Sequence, residues 1–265
     1  MNLEKIKKSA FSFQQRDILW TEKHLGLTPF NTAYWARKRI ADAISAHAHL
    51  ASGIMVDVGC GLKPYRKNFA PFVEKYYGTE YSPTSGYMGN LADAAADAAA
   101  MPFASESVDT ILCTEVLEHV PDPEKVISEF ARMLKPNGIV ITTAPFFFPI
   151  HDSFDFFRYT DTGLAEMMKR HGLSIEKIEP LSGTGLTISM LINMYIFDLG
   201  FIWTKWLYPI GLVLRPLLWL LILIVNYCGW IAEKILPSKQ MAFNHLTIAR
   251  KISKVEGANF TENQQ

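Results

Sequence analysis

The chain has 265 residues, enough for one sizeable α/β domain with an elaboration or for two small domains. Lys plus Arg and Asp plus Glu both number 26, so the formal net charge is zero, which argues against a nucleic-acid binder with its usual basic excess. Cys60, Cys113 and Cys228 lie far apart and form no CxxC pair, so neither a disulfide framework nor a thiolate zinc site is implied, and a reducing compartment fits.

The first twenty residues, MNLEKIKKSAFSFQQRDILW, show no apolar run after their basic residues and do not read as a secretory signal. Residues 1–50 read as helical. Tyr34, Trp35, Ile40 and Ile44 recur at helical spacing, with Arg37, Lys38, Arg39 and Asp42 between them. GIMVDVGCG, residues 53–61, is an apolar run ending in Asp57 and two glycines, the pattern of a buried parallel strand entering a tight turn. Lys75–Tyr81 and Ser107–Thr114 are further strand candidates. A helix is expected from Asp122, its cap, to Leu134, with Pro123 in the first turn and Pro136, Asn137 and Gly138 breaking it. Ile139–Thr143 reads as a strand, Thr160–His171 as a helix stopped by Gly172, and Leu173–Ile178 as another strand. An apolar stretch over 186–236 precedes a last strand, His245–Lys251, and a polar tail begins near Ser253. Strands alternating with helices argue for a doubly wound parallel α/β sheet.

VDVGCG, residues 56–61, is the strongest chemical signal. A glycine turn after a first strand lets the backbone pass close to a ligand. Gly59 and Gly61 are followed by Lys63 and Pro64, so the third glycine of the dinucleotide fingerprint is missing. Glu80, about 20 residues on at the end of the second strand, is placed to accept both hydrogens of a ribose diol.

These blocks, with DAAAMPF (97–103), VDTILCTEVLEHVPDP (108–123) and LKPNGIVITTAPF (134–146), occur in the order found in class I S-adenosylmethionine-dependent methyltransferases, and the chain resembles the ubiquinone-type O-methyltransferase group of that family over about residues 53–180 plus HLTIARK. The resemblance implies a Rossmann-like seven-stranded sheet with an antiparallel last strand. It implies that the turn of Asp57, Gly59, Cys60 and Gly61 holds the methionine part of S-adenosylmethionine, with Asp57 near the amino group. Glu80 would hold the ribose and Asp97 would face the adenine amino group, with Asp93 as a competitor in the same run. Glu115 would lie beside the cofactor at the end of the fourth strand.

Transfer from a sulfonium needs mostly alignment, but a hydroxyl acceptor must also lose a proton. Two features bear on this. In Glu115-Val-Leu-Glu118-His119, a helical turn would bring positions i, i+3 and i+4 to one face. Metal-dependent relatives, including plant small-RNA 2′-O-methyltransferases, use such a turn plus a later His to hold magnesium. That resemblance makes Glu115, Glu118, His119 and His151 a candidate Mg2+ site; the other reading, a metal-free pocket wall, stays open. The second feature is PFFFPIHDSFDFFRYT, residues 145–160, which resembles a block in bacterial methyltransferases of surface-glycan and lipid pathways. It offers His151 as the base and Arg158 as an orienting or acceptor-binding group. The competing reading makes His151 a structural cap and pairs Asp155 with Arg158.

The apolar stretch lies between two strands of one sheet, which excludes a single membrane crossing. Leu207–Ala232 is long enough to span, but Arg215-Pro216 interrupts it, Asp198 breaks the earlier segment, and Lys205 would have to cross at the tip of a spanning hairpin. Trp203, Trp206, Tyr208, Trp219, Tyr227 and Trp230 suit an interfacial belt. The expectation is shallow monotopic or re-entrant insertion from the cytoplasmic side, with a soluble lid or dimer contact as the rival. The expected division is therefore an N-terminal helical extension (1–50), a cofactor-binding core (51–185), an apolar membrane-associating insertion (186–236), a last core strand (237–252) and a tail (253–265). The expected function is methyl transfer, O-directed, to a lipid, prenylated or lipid-linked glycan acceptor at a membrane surface. A soluble small-molecule or sugar-nucleotide methyltransferase and a non-catalytic membrane scaffold are the alternatives.

Overall fold

A computed structural model describes residues 27–81, 91–151, 154–206 and 210–253, with backbone alone over 201–206 and 210–213. The expectations for residues 1–26, Asp152, Tyr208 and most of the tail, and those on the side chains of Trp203, Lys205 and Trp206, lie outside the described residues. The chain divides into two compact units, one of Ile40–Pro180 with the strand from Asn244, the other of Leu181–Phe243 with the residues before Ile40.

The first unit is an α/β sheet of seven strands. In chain order come α1 (Tyr34–His47), which begins in the other unit, β1 (Ile54–Val58), the short α2 (Arg66–Phe69), β2 (Lys75–Glu80), β3 (Ala94–Ala95) and β4 (Val108–Thr114). Then follow α3 (Pro123–Met133), β5 (Leu134–Pro145), α4 (Asp161–Arg170), β6 (Leu173–Pro180) and β7 (Asn244–Lys251). The strand order is β3-β2-β1-β4-β5-β7-β6, parallel except for β7, which runs antiparallel to both neighbours. Central strands covered on both faces must be apolar throughout. Accordingly Met55, Val56 and Val58 of β1 and Ile111, Leu112 and Cys113 of β4 are fully or almost fully buried.

α3 forms where its sequence provides both a start and a stripe. The Asp122 carboxylate accepts a hydrogen bond from Lys125 N at 3.1 Å and Pro123 occupies the first turn. Val126, Ile127, Phe130 and Met133 then recur at helical spacing and are all buried in the core that holds Ile111 and Val140. Truncating Phe130 to Ala there costs about 3–5 kcal/mol. Thr160 caps α4 in the same way, accepting from Gly163 N at 3.0 Å.

Two differences from the sequence pattern have plain causes. Pro136-Asn137-Gly138 does not separate helix from strand, because β5 already starts at Leu134. The register with β4 shifts between Val108 and Thr110, and Asn137 takes up the irregularity with φ +65°. β3 is two alanines paired through Thr79↔Ala94 and Glu80↔Ala95, too short for any periodicity to show.

The second unit contains α5 (Thr184–Trp206) and α6 (Ile210–Ile235), two antiparallel helices in close contact. α6 continues through Pro216. The Glu233 carboxylate on α6 accepts from Gly183 N at 2.9 Å and Leu186 N at 3.3 Å, capping α5 from the neighbouring helix. Asn226 ties the residues before α1 to the pair, donating to Pro29 O at 2.7 Å and Asn31 O at 3.1 Å, while its own carbonyl accepts from Trp35 Nε1 at 3.0 Å.

Candidate active site

All candidate residues except Asp97, which follows the edge strand, and the Glu118–Arg158 group, which lies in loops, sit at the carboxyl ends of the central strands, where an open α/β sheet leaves its crevice. On the cofactor side, Gly59 has φ +67°, and a Cβ there would lie 2.3 Å from Val116 Cγ2. Only glycine passes, so the β1 turn lies directly against the end of β4. Gly61 N donates to Glu80 Oε2 at 3.0 Å, and Tyr81 N to Glu80 Oε1 at 3.0 Å, which fixes the acidic side chain between turn and strand. Cys60 is buried and its thiol is pushed up to about 12 by that burial, so its part is packing and backbone, not nucleophilic attack.

Asp57 is 1% exposed, and burial pushes its carboxyl up to about 7 even though Tyr76 Oη donates a hydrogen bond to it and Lys63 lies near. A carboxylate so placed becomes fully ionised once a cation arrives. Asp93 is occupied: it accepts from Lys63 Nζ at 2.6 Å and Gly78 N at 2.7 Å. Asp97, just past β3, is exposed and accepts two local bonds, its carboxylate from Ala99 N at 2.8 Å and its carbonyl from Ala100 N at 2.9 Å. Of the two acidic candidates, Asp97 is the one left facing outward.

On the acceptor side the ExxEH segment is not one helical face. Glu115 has φ +54°, a strained conformation for a side-chain-bearing residue, and only Leu117–His119 form a single 3₁₀ turn. The Glu115 carboxylate therefore turns toward β5 and β7, accepting from Thr143 Oγ1 at 2.7 Å and Asn244 Nδ2 at 2.5 Å. Burial pushes it up to about 7. Glu118, His119 and His151 do converge, with one ligand-type atom from each within 4.8 Å of the others. Glu118 is fully buried, neither carboxylate oxygen has a hydrogen-bond partner, and burial with the neighbouring Glu115 charge holds its pKa well above the usual carboxylate range.

The two imidazoles are oriented by acceptors. His119 Nδ1 lies 2.5 Å from Phe154 O, and His151 Nδ1 lies 3.1 Å from Asp155 Oδ2 and 3.3 Å from Pro149 O. Carbonyl and carboxylate oxygens only accept, so both Nδ1 atoms carry the proton and both Nε2 atoms offer a lone pair. Burial and the neighbouring His119 lower the pKa of His151, keeping it neutral at neutral pH. Arg158 makes its bonds inside the loop. It donates to Asp155 through both terminal nitrogens and to the carbonyls of Phe148, Pro149 and Phe157. The pairing of Asp155 with Arg158 is thus the arrangement present, and Arg158 acts through the loop it ties.

Sequence reasoning did not single out Tyr76, Thr143 or Asn244. Tyr76 sits in KYYGTEY, where alternation alone gave no role; Asn244 is the first residue of β7 and becomes visible only once that strand is known to lie beside β5.

Residues 56–142 match the family described as a methyltransferase domain. An uncharacterized methyltransferase from Mycobacterium sp. (strain JLS) is 31% identical over 140 residues, covering 50% of this chain and 53% of that protein. A ubiquinone biosynthesis O-methyltransferase from Paraburkholderia phymatum is 32% identical over 108 residues, covering 37% of this chain and 46% of that protein. The chain spans about half the length of these relatives. Among solved structures, the [4+2]-cyclase SpnF has the same fold, with a TM-score of 0.51 at 17% identity over 84% of this chain and 82% of that one. Residues 56–142 therefore carry a methyltransferase domain, set on a seven-stranded α/β sheet whose β7 is antiparallel to its neighbours. A cyclase on the same fold shows why the reaction has to be argued from the site.

Proposed function

We propose that the protein is a methyltransferase that moves the methyl group of S-adenosylmethionine to an oxygen of a membrane-borne acceptor, a lipid, a prenylated aromatic or a lipid-linked glycan, at the cytoplasmic face of a membrane. The cofactor supplies a methyl group already activated by its sulfonium. Asp57, Glu80 and Asp97 orient it at the ends of β1, β2 and β3. The observation that carries the O-directed reading is His151, neutral and held through Nδ1 so that Nε2 is free to take a proton. A hydroxyl acceptor must lose its proton as its oxygen takes the methyl group, and on this reading the His151 imidazole takes it. Asp155 and Arg158 position it. The relative named a ubiquinone biosynthesis O-methyltransferase is consistent with an apolar acceptor, and the exposed apolar helices α5 and α6 give the same chain a reason to meet one.

A specific observation favours a second mechanism at the same site. The buried Glu118 carboxylate makes no hydrogen bond, lies 3.7 Å from His119 Nε2 and converges with both imidazoles, a group of three ligands that would suit a divalent cation. Glu118, His119 and His151 would hold the ion, which supplies Lewis-acid polarisation of the acceptor oxygen. Glu115 is not brought to this group. Two nitrogens and one carboxylate suit manganese, cobalt or zinc better than the magnesium that family resemblance implies, since magnesium prefers oxygen ligands. The two mechanisms exclude each other at His151 Nε2.

The test is incubation of the detergent-solubilised protein with methyl-labelled S-adenosylmethionine and a membrane lipid extract, with and without a chelator. Label in an organic-phase methyl ether supports the reading, and loss of label with the chelator selects the metal. Label confined to water-soluble products makes the protein a soluble small-molecule or sugar-nucleotide enzyme. Folded protein that binds no S-adenosylhomocysteine makes it a scaffold.

A further inference from the structure

A helix that lies flat in a bilayer surface needs two faces, because one side meets acyl chains and the other meets water. α6 has no polar face. Between Arg215 and Glu233 the one amide or charged side chain is Asn226, and it is 1% exposed. The large side chains exposed over that length are Leu217, Leu220, Leu221, Ile224, Tyr227 and Ile231. α5 repeats the pattern toward its start: Thr187, Ser189 and Asn193 are buried, whereas Ile188, Ile192 and Tyr195 are exposed.

The buried polar groups lie where the two helices touch. Asn193 Nδ2 donates to Asn226 Oδ1 at 3.0 Å and to Ile222 O at 3.3 Å. Small residues bring the backbones together: a Cβ on Gly229 would lie 2.2 Å from Ser189 Oγ, and one on Gly200 would lie 2.4 Å from Leu218 Cδ1. Polar groups between helices, small residues at the crossing and apolar groups outside are the arrangement of helices surrounded by hydrocarbon.

The lengths agree. At 1.5 Å per residue, the 23 residues of α5 and the 26 of α6 are roughly 34 and 39 Å long, against a hydrocarbon core of about 30 Å. The apolar segment Leu214–Ile235 places Arg215 beside one end of the span, not at its middle. Lys205 and Arg215 fall toward the tip of the hairpin and Glu233 and Lys234 at its base, whereas Asp198 lies near the middle of α5.

We infer that α5 and α6 stand upright in the bilayer as a re-entrant helical hairpin, tip toward the far headgroups, in place of lying in one interface. The inference rests on the proposal that this segment meets a membrane and specifies how. Carrying Lys205 and Arg215 across and holding Asp198 near mid-span oppose it; the lengths of both helices and the polar groups turned inward between them favour it.

The protein holds its own reporter. Cys228 is exposed on the apolar side of α6, whereas Cys60 and Cys113 are buried. The full chain is reconstituted into preformed phosphatidylethanolamine–phosphatidylglycerol vesicles with a spin label at Cys228, or at Leu221→Cys or Arg215→Cys in a Cys228→Ser background. Depth is read from collision with oxygen against a water-soluble nickel chelate, and S-adenosylhomocysteine binding on the same samples confirms that each variant is folded. The expected result is several-fold greater oxygen preference at position 221 than at 215, with the Arg215→Cys variant labelled by impermeant maleimide trapped inside the vesicles and not by reagent added outside. Equal depth at all three positions overturns the upright hairpin and leaves the membrane reading standing. Nickel access at all three, unchanged by vesicles, overturns both.

Discussion

The two ends of the catalytic crevice are built on different principles. At the cofactor end, ligand positions come from one turn and the tips of three adjacent strands, and the chain closes on itself through backbone donors such as Gly61 N to Glu80. At the acceptor end, side chains from the β4 tip, the loop after β5 and the start of β7 hold one another: Asn244 and Thr143 on Glu115, Asp155 on His151, Arg158 on Asp155. On the proposed function the first end is a fixed socket for one cofactor. The second is a network in which the acceptor chemistry is set by a few replaceable groups, and damage at either end should leave the other intact.

The largest effect should come at the acceptor end. His151→Ala is expected to slow methyl transfer roughly 100- to 10,000-fold in single-turnover measurements while leaving S-adenosylhomocysteine affinity unchanged; an unchanged rate would remove His151 from the chemistry. At the other end, Asp57→Ala or Glu80→Ala should weaken S-adenosylhomocysteine about 100-fold, near 2.7 kcal/mol, by calorimetry. Asp155→Asn separates the two mechanisms further. If a metal is bound, its affinity for manganese or cobalt should fall about 10- to 100-fold, because the His151 ring loses the acceptor that orients it; equal metal content in wild type and variant would sink the metal site.

Smaller effects sharpen the comparison. The Asp57 carboxyl, raised from 3.8 to about 7, favours the folded state fully below pH 4 and loses that contribution as pH rises through 7. A cofactor ammonium beside it reverses the balance by favouring the ionised form. Binding at pH 6 should therefore release close to one proton, and binding at pH 8.5 almost none, read from calorimetry in buffers of different ionisation heat; Asp57→Asn should abolish the difference. Asn244→Ala removes one bond to Glu115 and should cost about 1 kcal/mol, roughly fivefold, in the single-turnover rate, with S-adenosylhomocysteine affinity unchanged by calorimetry. A loss of affinity as large as that of Asp57→Ala would mean that the two ends are not separate.

This division also explains what could be read from sequence. The cofactor end is local: VDVGCG, Glu80 and Asp97 each announce themselves within a few residues of a strand end, and their order specified the sheet. The acceptor end is assembled by tertiary structure. Glu115, Glu118 and His119 look equivalent in EVLEH, but the left-handed backbone at Glu115 sends its carboxylate to Thr143 and Asn244 and leaves the other two to meet His151. No spacing rule anticipates a positive φ at a glutamate. The apolar segment was visible as a composition, but the inward turn of Asn193 and Asn226 required the helix pairing.

The position of β7 has a consequence for how the molecule is made. It is the last strand among the described residues, yet it lies inside the sheet, between β5 and β6. Until it arrives, β5 and β6 each have an open edge and the Asn244 bond to Glu115 does not exist. The ribosome must deliver both apolar helices before it delivers that strand. The hairpin therefore meets its surroundings while the sheet is still incomplete, so the order of synthesis makes any bilayer insertion an early event and completion of the crevice a late one.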